Sequence, residues 1–167
     1  MRICKIIVIT IFTSIFLSAC GAYNFTGGNT GNAKTFQVNY FQNNAPIIEP
    51  GLDRDFTQFL QNLIVTQTNL DLTTADADLV YEGEIVEYRI IPNSATADQT
   101  AAQNRLTIAV SLRYTNNVED EKDFERRFSF FFDYPASTAI ESIKSEAHEA
   151  IFERIGQDIF NASLADW

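Results

Sequence analysis

Apolar residues along this 167-residue chain change their spacing from segment to segment, and each change marks an element. From Ile6 to Phe16 they run almost without interruption, broken by Thr10, Thr13 and Ser14. That run is too short to span a bilayer, which takes about 20 residues. Phe36, Val38 and Tyr40 then alternate with Gln37 and Asn39, the period of a half-buried strand. Pro46 and Pro50-Gly51 interrupt the pattern. Leu52, Phe56, Phe59, Leu60 and Leu63 recur at helical spacing. Asp53 and Asp55 sit in the first turn, where carboxylates complement the helix dipole. This predicts a first helix over 52–68.

Residues 69–78 are polar and turn-like. A second strand is expected over 79–91, rich in β-branched and aromatic residues. Its apolar parity slips: Leu79, Tyr81 and Ile85 share one phase, Val86, Tyr88 and Ile90 the other. Gly83 lies among them and predicts a bulge or bend. Pro92 should end the strand. Leu106, Ile108, Val110, Leu112 and Tyr114 alternate without fault and define a third strand. After a turn at 116–120, the fourth strand carries Phe124, Phe128, Phe130 and Phe132 on one parity. Glu125, Arg127, Ser129, Phe131 and Asp133 occupy the other. Arg126 interrupts the apolar parity, and its stem is expected to snorkel to an edge. Ser137 or Thr138 is a candidate cap for a second helix, whose stripe runs Ile140, Ile143, Ala147, Ile151, Ile155, Ile159.

The order β-α-β-β-β-α follows. Strands one and two, joined through a helix, should be parallel with a right-handed crossover. Strands two to four should form a meander. Each helix has one apolar face, so both should cover the same side of the sheet. The expected fold class is α+β: a two-layer sandwich with a four-stranded mixed sheet and two helices on one face.

The N-terminus adds a destination. Arg2 and Lys5 precede the apolar run, and Leu17-Ser18-Ala19-Cys20 closes it. A basic start, an apolar stretch and a small-residue cleavage site form a secretory signal. The closing four residues resemble the bacterial lipobox, which implies cleavage after Ala19 and lipidation at Cys20. One acyl chain gives only reversible membrane binding, of about 10⁴ M⁻¹, whereas two or more hold stably. Gly21-Ala22-Tyr23-Asn24 follow, with neither an immediate aspartate nor an acidic run. Both absences favour the periplasmic side of the outer membrane. The expected division is a signal at 1–19, a lipidated N-terminus and Gly/Asn-rich tether at 20–33, and a single domain at 34–167. Such a tether spans about 20 Å root-mean-square.

Loss of the signal removes two basic residues and no acid, leaving ten basic against 22 acidic residues, a net −12. So acidic a chain lacks the electrostatic footprint of a nucleic-acid binder. It also gains no attraction to an anionic membrane surface, so lipid must anchor it. Cys4 leaves with the signal and Cys20 is alkylated, so no thiol remains for a disulfide, a nucleophile or a metal. The one histidine, His148, sits at the boundary of the second helix's stripe. No phosphate-binding glycine loop, metal-binding HExxH or nucleophile elbow is present. This argues against a zinc site and against Cys–His or Ser–His–Asp chemistry, and no cofactor or metal is expected.

Glu82 and Glu84 share a strand face and read as solvated residues that pair with arginines. Phe128, Phe130 and Phe132 read as core. Phe131 points the other way, an apolar outward residue that hints at a contact face. Arg105, Arg113 and Arg127 fall on the outward parity, and Arg89 lies near the end of strand two. Guanidinium groups bind phosphate bidentately, which makes these four candidate contacts for a phosphate-bearing ligand or a partner. The competing reading is cross-strand pairing with Glu82, Glu84 and Glu125. The long Ala/Thr/Asn/Gln loop at 93–103 exceeds an ordinary hairpin turn and suggests a functional tip.

A lipobox, a tether and this element order resemble a divergent branch of the lipopolysaccharide-assembly lipoprotein family, LptE. The strings that carry the resemblance are Tyr40-Phe41-Gln42-Asn43-Asn44-Ala45-Pro46, Asn104-Arg105-Leu106-Thr107-Ile108, Arg113-Tyr114-Thr115-Asn116 and Leu164-Ala165-Asp166-Trp167. The resemblance implies a non-catalytic plug inside the large β-barrel LptD, aiding delivery of lipopolysaccharide to the outer leaflet. Two other classes remain open at this point: a glycan-binding lipoprotein and an accessory lipoprotein of barrel assembly.

Overall fold

The computed structural model describes residues 28–93 and 102–165. The expected signal, Cys20, tether residues 20–27, loop residues 94–101 and residues 166–167 lie outside the described residues.

Among the described residues, six strands and two helices follow in the order β1 (Thr35–Val38), β2 (Gln42–Asn43), α1 (Leu52–Gln67), β3 (Asp71–Leu72), β4 (Leu79–Asn93), β5 (Gln103–Asn116), β6 (Phe124–Pro135) and α2 (Ile140–Leu164). A short 3-10 turn, Asp120–Lys122, lies between β5 and β6. The sheet order is β3-β1-β4-β5-β6, with β2 also paired to β4. β1 runs parallel to β4, and β4, β5 and β6 form the antiparallel meander. The α+β class, the mixed sheet and the predicted order hold. The strand count is six rather than four, because β2 and β3 are two residues each and too short to show a period.

Two local expectations change. The bulge falls between Ile85 and Glu87, leaving Val86 as the extra residue, while Gly83 pairs in regular register with Leu112. The extra residue accounts for the slip in parity. Pro92 does not stop β4, which continues to Asn93. The β2 pairing ends at Ile85, so at Pro92 the strand has a neighbour only in β5. A missing N–H is tolerated at such an edge.

Gly83 is needed for close approach. A Cβ there would lie 2.1 Å from the Ser111 carbonyl oxygen and 2.8 Å from the Phe41 ring. Phe41 fills that space, fully buried, and meets Phe56 of α1 edge-on at 5.2 Å. Phe56 in turn meets Phe152 of α2 edge-on at 5.2 Å. Sheet and both helices therefore join through one aromatic chain. Each fully buried phenylalanine contributes about 2–3 kcal/mol. α1 buries Leu52, Phe56, Leu60 and Ile64, one residue every turn. α2 buries Ala147, Ile151, Ile155 and Ile159 on the predicted stripe, with Phe152, Gly156 and Phe160 beside it. Neither Ser137 nor Thr138 caps α2; the cap position is Ala139, without a side-chain bond.

Polar ties fasten the start of β1 and β4 to each other and to the end of α2. The Tyr81 hydroxyl lies 3.1 Å from Ser163 Oγ, and burial raises its pKa. The backbone N–H groups of Lys34 and Thr35 donate to Asp78 at 2.7 and 3.0 Å and hold its carboxyl below the usual range. Asn29 donates its N–H to the Leu164 carbonyl at 2.6 Å, so the described chain begins against the end of α2. Further along, the Tyr88 hydroxyl lies 3.3 Å from His148 Nε2, and His148 stacks on Phe152 at 5.9 Å. Burial lowers the His148 pKa and raises that of Tyr88 to about 12.

Gly83→Ala is expected to destabilise by about 1–3 kcal/mol, because the opposing atom is backbone. Gly156→Ala should cost less: its added Cβ meets the side chains of Phe59 and Leu63, and alanine recovers about 0.8–1 kcal/mol of helix propensity. Urea denaturation of the two variants checks the order; equal losses would contradict it. The depressed pKa of His148 means that the unfolded chain binds its proton first as pH falls. Stability should therefore decline below about pH 6.5, the unfolded value, until the folded pKa is passed. In His148→Gln that component of the pH dependence should vanish from melting curves recorded between pH 7 and 5.

Candidate functional site

With both helices on one side, the opposite face of the sheet is uncovered by any described element. Its side chains come from the outward parities of β4, β5 and β6, and the register sets their neighbours. Arg105 lies directly opposite Asp133, Thr107 between Arg89 and Phe131, Ala109 between Glu87 and Ser129, Ser111 between Glu84 and Arg127, and Arg113 between Glu82 and Glu125.

Each of the four candidate arginines has a carboxylate on this face. The Arg105 guanidinium donates twice to Asp133, through Nε and Nη2, both at 2.7 Å. That pairing holds the Asp133 carboxyl below its usual range. Arg105 also lies 3.6 Å over the ring of Phe131, a cation–π arrangement. Arg89 donates to Glu87 Oε1 at 2.7 Å, and Arg127 donates to the other oxygen of the same carboxylate. Arg113 reaches Glu82 and Glu125, both at 3.5 Å. Glu84 instead accepts from Asn44 Nδ2 at 2.5 Å.

The cross-strand pairing considered from sequence is thus present at Glu82 and Glu125. Two partners were missed, Glu87 and Asp133. Asp133 shares the outward parity in the sequence, but its place opposite Arg105 follows only from the register. Glu87 was hidden by the bulge at Val86, which moves it onto the outward face.

Ion pairs run along the whole face: Arg113 with Glu82 and Glu125 at one end, Arg105 with Asp133 at the other, and Glu87 in the middle row with both Arg89 and Arg127. The small, uncharged residues Thr107, Ala109 and Ser111 lie between them on β5. Ala109 is fully buried beneath its neighbours. Phe131 and Ile91 are the exposed apolar residues nearest the β4–β5 tip, at 40% and 38% exposure. A shallow groove opens beside the other end, over Gly83, walled by Tyr40, Asn39, Glu82 and Arg113. Arg126, on the core parity, turns out at the sheet edge with its guanidinium 5.5 Å from the Phe124 ring. His148 is packed between Tyr88 and Phe152, away from this face. Among the described residues no cluster of histidine, cysteine and carboxylate groups has metal-binding geometry. No helix among them is long and apolar enough to cross a membrane.

No curated protein matches the sequence. Among solved structures, the backbone is similar to a minor lipoprotein from Acinetobacter baumannii (12% identity, 77% of this chain and 91% of that one, TM-score 0.46). It is also similar to the rare lipoprotein B from Shewanella oneidensis (11% identity, 75% of this chain and 89% of that one, TM-score 0.43). A hypothetical protein from Chlamydia trachomatis gives 11% identity, 78% and 98% coverage, and a TM-score of 0.49. These likenesses are loose, and the assignment rests on the sequence profile of one family. That profile, described as LptE, lipopolysaccharide-assembly, matches residues 33–163, from just before β1 to the last turn of α2. The chain belongs to the LptE family of lipopolysaccharide-assembly proteins.

Proposed function

We propose that this chain is a non-catalytic outer-membrane lipoprotein that occupies the lumen of an LptD-type β-barrel and supports lipopolysaccharide delivery through it. The observation that carries the reading is the family match over nearly the whole folded domain. The uncovered sheet face is compatible with it. The lumen of a large outer-membrane barrel is polar, and a plug must meet it without stranding bare charge. Here each outward arginine already has a carboxylate neighbour, and the central strand β5 contributes the small, uncharged Thr107, Ala109 and Ser111 between them. The β4–β5 hairpin has strands of 15 and 14 residues. At about 3.4 Å per residue each strand is longer than the roughly 30 Å hydrocarbon core of a bilayer, enough to reach through a lumen.

In this reading, residues 1–19 are the signal, Cys20 carries the lipid that holds the protein at the periplasmic side of the outer membrane, and 20–33 tether the 34–167 domain. Arg89, Arg105, Arg113, Arg127 and Phe131 are the contact candidates toward the barrel or toward lipopolysaccharide. The loop spanning 93–103, which connects β4 to β5, is a further candidate.

Solubilising membranes that contain the tagged full chain in mild detergent should co-purify an LptD-type barrel, identified by mass spectrometry. Cys20→Ser should leave the membrane fraction. Recovery of a different barrel, or a membrane-bound Cys20→Ser protein, would overturn the corresponding half of the reading. For the contact residues, reversing both Arg105 and Arg113 to glutamate should weaken lipopolysaccharide binding by about tenfold, the scale of two exposed charge contacts. Unchanged binding in a titration would remove both from the site.

A further inference from the structure

The two edges of the sheet are built differently. On the β3 side the edge strand is two residues long, and the β1 ladder beside it is short. On the other side, β6 is an edge strand of twelve residues. Its ladder with β5 runs from Phe124 to Pro135 without a register shift. Among the described residues, no side chain or other segment hydrogen-bonds to the outer edge of its backbone between Phe124 and Tyr134. Exposed edges are ordinarily blocked by lysine, by proline or by a bulge. The centre of β6, Phe128-Ser129-Phe130-Phe131-Phe132, has none of these. Phe130, Phe131 and Phe132 all remain partly exposed, on both faces of the sheet.

The sequence of this edge is complementary to itself when read in reverse. Antiparallel pairing of two β6 strands about Phe130 places Phe128 opposite Phe132 and Ser129 opposite Phe131. It also places Arg127 opposite Asp133, and Arg126 opposite Tyr134. The twofold axis repeats each pair, which gives two Arg127–Asp133 ion pairs at symmetric positions. Even and odd positions keep their own faces in this register, so the helix side continues as the helix side. Asp133 already accepts two bonds from Arg105, but a carboxylate offers about four acceptor sites. An overlap from Glu125 to Pro135 forms about ten backbone hydrogen bonds, the number found in a typical stable interface.

We infer that the free edge of β6 pairs antiparallel with β6 of a second copy of this chain, centred on Phe130, to make one sheet continuous across a dimer. A closed twofold contact of this kind uses one patch on both copies and stops at two. The inference is independent of the barrel reading, since it concerns the protein without its partner.

The full chain, purified in mild detergent without a barrel, should show concentration-dependent dimers in analytical ultracentrifugation. Hydrogen exchange across β6 should slow as protein concentration rises. Arg127→Asp and Asp133→Arg each place like charges opposite one another across the axis, and each should raise the dimer dissociation constant at least tenfold. The double variant Arg127→Asp/Asp133→Arg restores opposite charges across the axis while leaving like charges against Glu87 and Arg105 within each copy. It should therefore regain dimerisation. That recovery separates the intermolecular contact from simple loss of the internal ion pairs. A protein that stays monomeric with concentration-independent exchange in β6, or a double variant no better than the singles, would overturn the inference. So would an oligomer indifferent to all three substitutions.

Discussion

The antiparallel ladder between β4 and β5 is the constraint on which the rest of the structure rests. It runs from Leu79–Asn116 to Asn93–Gln103, and every other strand except β3 pairs with one of its two members. One side of it supplies Leu79, Tyr81, Ile85, Tyr88, Leu106, Ile108, Val110 and Leu112 as the floor of the core. The other side is the charged face. Shifting the register by one residue would exchange these faces entirely, so burial of the apolar set pins the ladder. Gly83 lets Phe41 dock against the ladder, and through Phe41 the two helices are seated.

The uncovered face gains its character from the same register. A protein with a net charge of −10 holds four arginines there without a free basic patch, because each lies within reach of a carboxylate. Exposed ion pairs of this kind add little to stability, typically below about 1 kcal/mol each. Their consequence is a face that can approach another surface with each of its arginines already paired. The two hydrogen bonds from Arg105 to Asp133 also place the guanidinium over the exposed ring of Phe131.

The asymmetry of the edges belongs to the same logic. The β3 edge is too short to template another chain, whereas β6 offers a long aromatic strand in unbroken register. α2 lies across the inner face of β6, with Arg154 5.6 Å from the Phe130 ring, and so covers one side of that strand but not its hydrogen-bonding edge. Helix burial and edge protection are therefore separate matters in this fold.

The long elements were legible because burial on one face imposes a period that nothing else imitates. β5 alternates without fault from Leu106 to Tyr114, β6 does so apart from Arg126 and Phe131, and α1 and α2 carry their stripes at helical spacing. Their side of the sheet followed from each helix having one apolar face. The acidic balance and the Leu17-to-Cys20 string were likewise properties of the sequence alone. Several matters were not. The two-residue strands carry no period, so β2 and β3 emerged only from their pairing. A change of parity shows that a bulge exists, but only the ladder shows that Val86, and not Gly83, is the extra residue. The partners of the arginines depended on register, which sets Asp133 against Arg105 and brings Glu87 to the outward face. Periodicity reports which face a residue takes, a local property of the backbone; which residue stands beside it across the sheet is decided by pairing between segments far apart in the chain.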